Sequence, residues 1–325
     1  MSSVTAPAST SQANRRSVLI SGATGFIGGH VVRRFLARGD TVTVLARNPG
    51  KARDRLGPEV RIVTSLDALA RDTPVDAIIN LAGAPILARR WTRGRRQELL
   101  ASRLVPTQAL VEFAGRLANP PPVFVSASAI GYYGVHADEP LDERTGPQAI
   151  FQSEICSRWE AVAVAAQSTG TRVVLLRLGV VLGRDGGALP SLATPVRLGL
   201  GGVLGTGHQW LSWIHVGDVV RLIEFVLDNP AVHGPLNAVA PAPETQRAFQ
   251  QALAKQLHRP LWLRVPAVVL RLGLGEMSEL LVDGQKVLPA KALAAGFEFR
   301  YPQLEAALND LLSAAAASKG GSAEA

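Results

Sequence analysis

A short aliphatic run, Ser17-Val-Leu-Ile-Ser21, passes without a linker into Gly22-Ala23-Thr24-Gly25-Phe26-Ile27-Gly28 and then into an amphipathic stretch ending near residue 38. Three glycines spaced by three, set between a β-type run and a helical one, confine the chain to a tight strand–turn–helix. Glycine permits backbone conformations that other residues avoid and lets the main chain come close to a bound group. The helix start adds unbonded N–H groups and the positive end of the helix dipole, which together suit a phosphate. The first structural unit is therefore read as a dinucleotide loop, with contacts from Gly22 through Gly28.

The alternation continues. β-type runs at 17–21, 41–46, 60–64, 75–80, 122–127 and 172–178 alternate with helical patterns near 26–38, 95–117 and 153–168, as in a parallel sheet with crossover helices. The fold class is α/β, a Rossmann-like doubly wound sheet with a small C-terminal substrate or helical region. After 180 the pattern loosens into Gly- and Pro-containing connections, then gives a helix at 216–228, a strand around 235–239, a helix at 244–257 and a strand near 297–301. Residues 15–240 are read as the dinucleotide-binding domain, with 180–215 serving its substrate side, and 241–314 as a C-terminal domain. The polar stretch 1–14 and the Ala/Ser/Gly-rich 315–325 read as disordered tails.

About twenty residues past the loop, a dinucleotide fold of this kind carries an acidic side chain for the ribose 2′-hydroxyl of NAD. Here Arg47 stands nineteen positions past Gly28, with Lys51 and Arg53 behind it. A guanidinium suits a 2′-phosphate, so the expected cofactor is NADP(H).

Bulk properties narrow the remaining classes. Hydrophobic residues are 47% of the chain and charged ones 18%, which fits central strands buried on both faces. The net charge of +8 rests on 34 basic residues, of which five are Lys and the other 29 Arg. They are scattered, except for Arg89, Arg90, Arg93, Arg95 and Arg96, so a nucleic-acid partner is not expected. The single Cys156 forms no internal disulfide, and no Cys/His spacing suggests a metal; a reducing, cytoplasmic setting fits. No apolar run reaches the length of a membrane span. Arg15-Arg16 before an apolar run resembles a twin-arginine export signal, but cleavage there would remove the first strand, so export is not expected.

With these motifs in place, the chain resembles the extended short-chain dehydrogenase/reductases, on Gly22 to Gly28, Asn80-Leu-Ala-Gly83, Ser126-Ala-Ser128 and Trp213-Ile-His-Val-Gly-Asp218. It is similar in particular to an atypical epimerase-like branch, often labelled nucleoside-diphosphate-sugar epimerase or cell-division-inhibitor-like. That branch shows in Gly83-Ala-Pro-Ile86, Arg90-Trp91-Thr92, Ser128 through Gly134, Trp159-Glu160 and Arg177 through Gly183. The stretch from Gly284 to Pro302 is similar to its C-terminal domain of unknown function. The resemblance implies cofactor contacts at Arg47, at Leu81, Ala82, Gly83 and Ala84, and at Ser126 and Ala127. It makes Ser128 the hydroxyl that polarises a substrate oxygen, and it carries an expectation of homodimers.

The family's chemistry ordinarily rests on a Tyr acid/base and a Lys four residues later on one helix face. The only lysines here are Lys51, Lys255, Lys286, Lys291 and Lys319, and the only tyrosines Tyr132, Tyr133 and Tyr301. Anchored on Glu160, the two positions fall on Gln152 and Cys156, so the pair is absent. Ser128, Tyr132 and Tyr133 are the candidate catalytic groups; His136 and Glu154 read as solvated surface, and Cys156 as a small buried apolar group. On the substrate side, Gln209 and Trp210 in the glycine-rich segment 201–213 are candidate contacts, and Asp218 reads as a structural carboxylate in a helix's first turn. Arg103, behind the basic run, is a candidate for the cofactor phosphate or an anionic substrate group. Two readings remain: an NADP(H)-dependent oxidoreductase or epimerase acting on a small polar molecule such as a sugar- or nucleotide-linked one, or a non-catalytic NADP(H)-binding sensor or regulatory protein.

Overall fold

The computed structural model describes residues 15–317. Seven strands build one sheet: β1 Ser17–Ser21, β2 Thr41–Leu45, β3 Arg61–Val63, β4 Ala77–Asn80, β5 Val123–Ala129, β6 Arg172–Leu178 and β7 Gly234–Ala238. Their order is β7-β6-β5-β4-β1-β2-β3, and every neighbouring pair is parallel. The direction of winding reverses between β1 and β4, which opens a crevice at the carboxyl ends of those strands. This is the doubly wound architecture that the alternating pattern implies.

Side-chain alternation sorts the core into two layers. Val18, Ile20, Val42, Val44 and Ile79 face one side, where α1 (Phe26–Ala37) lies; Leu19, Ile78 and Phe124 face the other, where helices 93–116 and 151–164 lie. Burial on both faces explains why these strands read as nearly continuous apolar runs. The helices follow in chain order: α2 Pro49–Leu56, α3 Arg93–Arg116, α4 Phe151–Val164, α5 Leu189–Arg197, α6 Val216–Asp228 and α7 Gln246–Gln256. Two of them, α2 and α5, are short and proline-bearing and escape a periodicity search.

Chain beyond β7 returns to the sheet. Helix α7 and a final helix, Leu304–Ala317, share a cluster with Leu182, Leu189 and Trp213 from the loosely patterned region. That last helix runs three residues into the stretch expected to be a tail; both expected tails otherwise lie outside the described residues.

The strand expected near 297–301 is not formed. Phe297 and Phe299 instead pack edge to face on each other, and Phe297 on Phe225 of α6. The Arg300 and Tyr301 N–H groups each donate to the Asp218 carboxylate at 2.9 Å, in place of a neighbouring strand. Asp218 is fully buried and also pairs with Arg221 at 3.0 Å. The first-turn carboxylate thus clasps the C-terminal segment. Asp218→Ala should cost about 1–3 kcal/mol by leaving two part-buried N–H donors and Arg221 without their partner, read as a lower urea midpoint and faster proteolysis after residue 290. An unchanged midpoint would remove the clasp.

Candidate active site

The crevice becomes a cleft of about 590 Å³, floored by the glycine loop and walled by α4, the loop after β4 and the C-terminal segment. Gly22 takes φ +71°, and a Cβ there would sit 2.4 Å from the Leu81 carbonyl; one on Gly28 would sit 2.4 Å from the Gly22 oxygen. Those two glycines let strand, helix and the β4 exit close on one another. Gly25 caps α1 with no side chain bonded to the first amides and no acidic residue in the first turn. The helix start therefore offers its N–H donors and dipole to an anion, as a pyrophosphate requires.

Gly22, Gly25, Phe26, Ile27 and Gly28 line the cleft. Ala23 is buried beneath the loop and Thr24 half-buried beside it. The Phe26 ring fills a recess made by Gly183, Gly186 and Gly187, where any Cβ would stand within 2.8 Å of it. Arg47 is exposed just past β2 and makes no ion pair or hydrogen bond among the described residues. Arg53 lies farther back and donates to the Pro58 and Val60 carbonyls at 2.8 and 3.0 Å, which closes α2 rather than facing the loop.

At the β4 exit, Asn80 is a buried hub: it accepts from Ser21 Oγ at 2.6 Å and donates to Thr107 at 2.8 Å and Ser126 at 3.2 Å. Ser126 is thereby drawn into the wall. It is fully buried and does not line the cleft, which corrects its assignment as a cofactor contact; Ala127 and Ser128, nearer the strand end, do line it. Leu81 and Gly83 line it too, while the Ala82 N–H is spent on Asn80 at 3.3 Å. The Ala84 N–H donates to Ser102 at 3.1 Å. Arg103 reaches the cleft but is held: its guanidinium lies over Trp159 and donates to the Leu99 and Ala84 carbonyls at 3.0 and 3.1 Å.

Behind Ser128 lies a closed polar network. Ser128 donates to Glu160 at 2.6 Å, and Glu160 accepts a bidentate pair from Arg177, both bonds 2.9 Å. Burial works against the Arg177 charge, yet the Glu160 carboxylate more than offsets it, and its pKa is raised. Arg177 also donates to the Tyr133 hydroxyl at 3.0 Å, and Tyr133 donates to Asn237 at 2.6 Å.

The same network takes up the Tyr133 hydroxyl and the Tyr132 ring. Tyr133 is 0% exposed, its phenol pushed up to about 12 by burial against the opposing pull of Arg177, and both its hydrogen-bonding roles are filled. The Tyr132 ring covers the Arg177 guanidinium, 3.5 Å from its centroid, and neither ring lines the cleft. Beside Ser128, the α4 residues Gln152 and Cys156 line the cleft. Gln152 is 3% exposed and its Oε1 is buried without a hydrogen-bond partner. The Cys156 thiol is pushed up to about 12 by burial and the nearby Glu160. The sequence flagged both positions only as absences, and the one signal for them is their four-residue spacing before Glu160.

On the far side, Trp210 lines the cleft and its indole N–H donates to Asp138 at 2.8 Å. Gln209 is not among the residues that line it; its carboxamide donates to the Leu204 carbonyl at 3.0 Å across a glycine turn. Unforeseen wall residues come from the C-terminal segment. Ser212 donates to the Gln285 carbonyl at 2.7 Å and accepts from Val287 at 2.9 Å. Gly284 packs so tightly that a Cβ would stand 2.3 Å from the Trp210 nitrogen.

The NAD-dependent epimerase/dehydratase family matches residues 18–238, and a domain of unknown function (DUF1731) matches 265–311. The chain belongs to the epimerase/dehydratase family. An epimerase family protein of Staphylococcus haemolyticus is 40% identical over 299 residues, covering 91% of this chain and 99% of the relative. One of Mus musculus is 39% identical over 301 residues, with 91% and 99% covered. The human epimerase family protein solved with NADPH superposes with a TM-score of 0.82 at 37% identity, covering 91% of this chain and 99% of that one. Among the described residues no helix is long and apolar enough to cross a membrane.

A thiol held near 12 is almost wholly protonated at pH 8. Cys156 should therefore react with a disulfide reagent at least ~100-fold more slowly in the native protein than in urea. Comparable rates would show an activated thiolate instead.

Proposed function

We propose that this protein is an NADP(H)-dependent oxidoreductase or epimerase-type enzyme of the family, acting on a small molecule in the cleft without a Tyr–Lys pair. The observation that carries the reading is the open pairing of an uncapped α1 start with the uncommitted Arg47 guanidinium, at the ends of adjacent strands β1 and β2. The NADPH in the human relative supports it. Loop glycines would hold the pyrophosphate, Arg47 the 2′-phosphate, and Leu81, Gly83 and Ala127 the flank of the dinucleotide. When bound, the dinucleotide supplies hydride exchange at the nicotinamide.

The chain's own part is orientation and exclusion of water. Ser128 donates its hydrogen bond to Glu160, so toward a ligand it is an acceptor. Gln152 is left as the uncommitted polar group beside it, and the Cys156 thiol, pushed up to about 12 by burial, stays neutral there. A wall so neutral also favours the second reading, an NADP(H) sensor that does not turn over. The reading includes a cytoplasmic setting, a small-molecule partner and, by family resemblance, a homodimer.

NADPH should bind at least ~10-fold more tightly than NADH, and Arg47→Ala should cost NADPH ~10- to 100-fold while leaving NADH unchanged, the worth of one charged phosphate contact. Titration of the reduced-nicotinamide fluorescence reads both. Equal affinity for NADH and NADPH in the wild type would refute the cofactor assignment; tight NADPH binding with no turnover across a carbonyl panel would favour the sensor.

A further inference from the structure

We propose that the inner part of the cleft is an apolar compartment for an uncharged aryl or alkyl ketone, aldehyde or alcohol, with Gln152 receiving its one oxygen. This deepens the oxidoreductase reading and rests on it for what lies beside the compartment.

Three observations point there. The first is the lining: Ile86 from the β4 exit, Ile130 beside α4 and Ile155 on it, and Leu211 with Trp210 give the cleft a run of apolar side chains suited to a hydrocarbon body.

The second is charge. A nucleoside-diphosphate sugar brings two negative phosphates, and specific sites meet them with arginine or lysine. Among the described residues Arg103 is the one cation that lines this cleft, and it is committed to Trp159 and two carbonyls. Lys286 lies over the Trp210 ring, 4.4 Å from its centroid, and is not among the lining residues. The remaining charges that line the cleft are carboxylates, Glu279 and Asp283, whose field opposes an anion.

The third is Gln152 itself. A carboxamide 3% exposed, lining the cleft, with its oxygen buried and unpartnered is a standing cost that a ligand group can recover. Its amide can accept from an alcohol or donate to a carbonyl, so it reads one oxygen and leaves the rest of the ligand to the apolar wall.

The test uses the full chain and three probes: 1-tetralone, its hydrocarbon counterpart tetralin, and UDP-glucose. Quenching of tryptophan fluorescence, for which Trp159 and Trp210 are placed in the wall, and calorimetry read binding with and without NADPH. Tetralone is expected to bind at least ~10-fold more tightly than UDP-glucose. Gln152→Leu, which keeps volume, should weaken tetralone ~5- to 10-fold and leave tetralin unchanged, the mark of one hydrogen bond. Leu211→Arg should weaken both by ~10-fold or more, with Leu211→Ser as the milder change should arginine prevent folding. UDP-glucose binding as tightly as tetralone, no binding of either tetralone or tetralin, or an equal loss of both on Gln152→Leu would overturn the proposal. NADPH affinity is followed in parallel. Its absence alongside tetralone binding would count against the cofactor reading and leave the compartment standing.

Discussion

The Glu160–Arg177 ion pair is the interaction on which the site depends. Two opposite charges, both buried, are tolerable in a core only when hydrogen bonds saturate them. Here the pair is held by further elements: Ser128 from β5, the Tyr132 ring and Tyr133 hydroxyl from the turn after it, and Asn237 of β7 through Tyr133. Helix α4 supplies Glu160 and β6 supplies Arg177, so the pair fixes how the helix sits over the carboxyl ends of three strands. The orientation of Gln152 and Cys156, on the same helix and facing the cleft, follows from that.

The same pair explains the chemistry that the wall lacks. A phenol serves as acid or base only if its proton is free to move and its pKa lies near the working pH. Tyr133 has its proton on Asn237 and accepts from Arg177, so the phenols nearest the cleft are structural. Ser128 is turned the same way. The wall that remains is neutral, one carboxamide and one protonated thiol, and it is set in apolar surroundings. At the opposite end the design is unaltered: close-packed glycines, an uncapped helix and an arginine past β2. Dinucleotide recognition and proton relay are physically separable, and this chain keeps the residues for the first alone.

Much of this was legible in the sequence because it depends on local pattern. Strands 17–21 and 172–178 and the helix 216–228 follow from alternation and amphipathicity, and the loop from three glycines between a strand and a helix. Distant partners defeated the rest. Phe297 to Tyr301 alternates like a strand, yet its N–H groups are met by a carboxylate some eighty residues earlier. Ser126 sits two residues below Ser128 on the same face, deep enough for Asn80 to claim it. Gln209 looks like a ligand contact until the turn it closes is seen. That Gln152 and Cys156 line the cleft depends on how α4 packs over the sheet, which no local pattern carries.

The glycine loop with Arg47 and the wall at Ser128, Gln152 and Cys156 would form two ends of one dinucleotide groove. A crystal structure of the protein with NADPH should show phosphates over Gly22 to Gly28, the 2′-phosphate against Arg47 and the nicotinamide beside Gln152. A dinucleotide lodged elsewhere, such as the polar groove lined by His30, Arg34 and Arg300 between α1, α6 and the C-terminal segment, would contradict it.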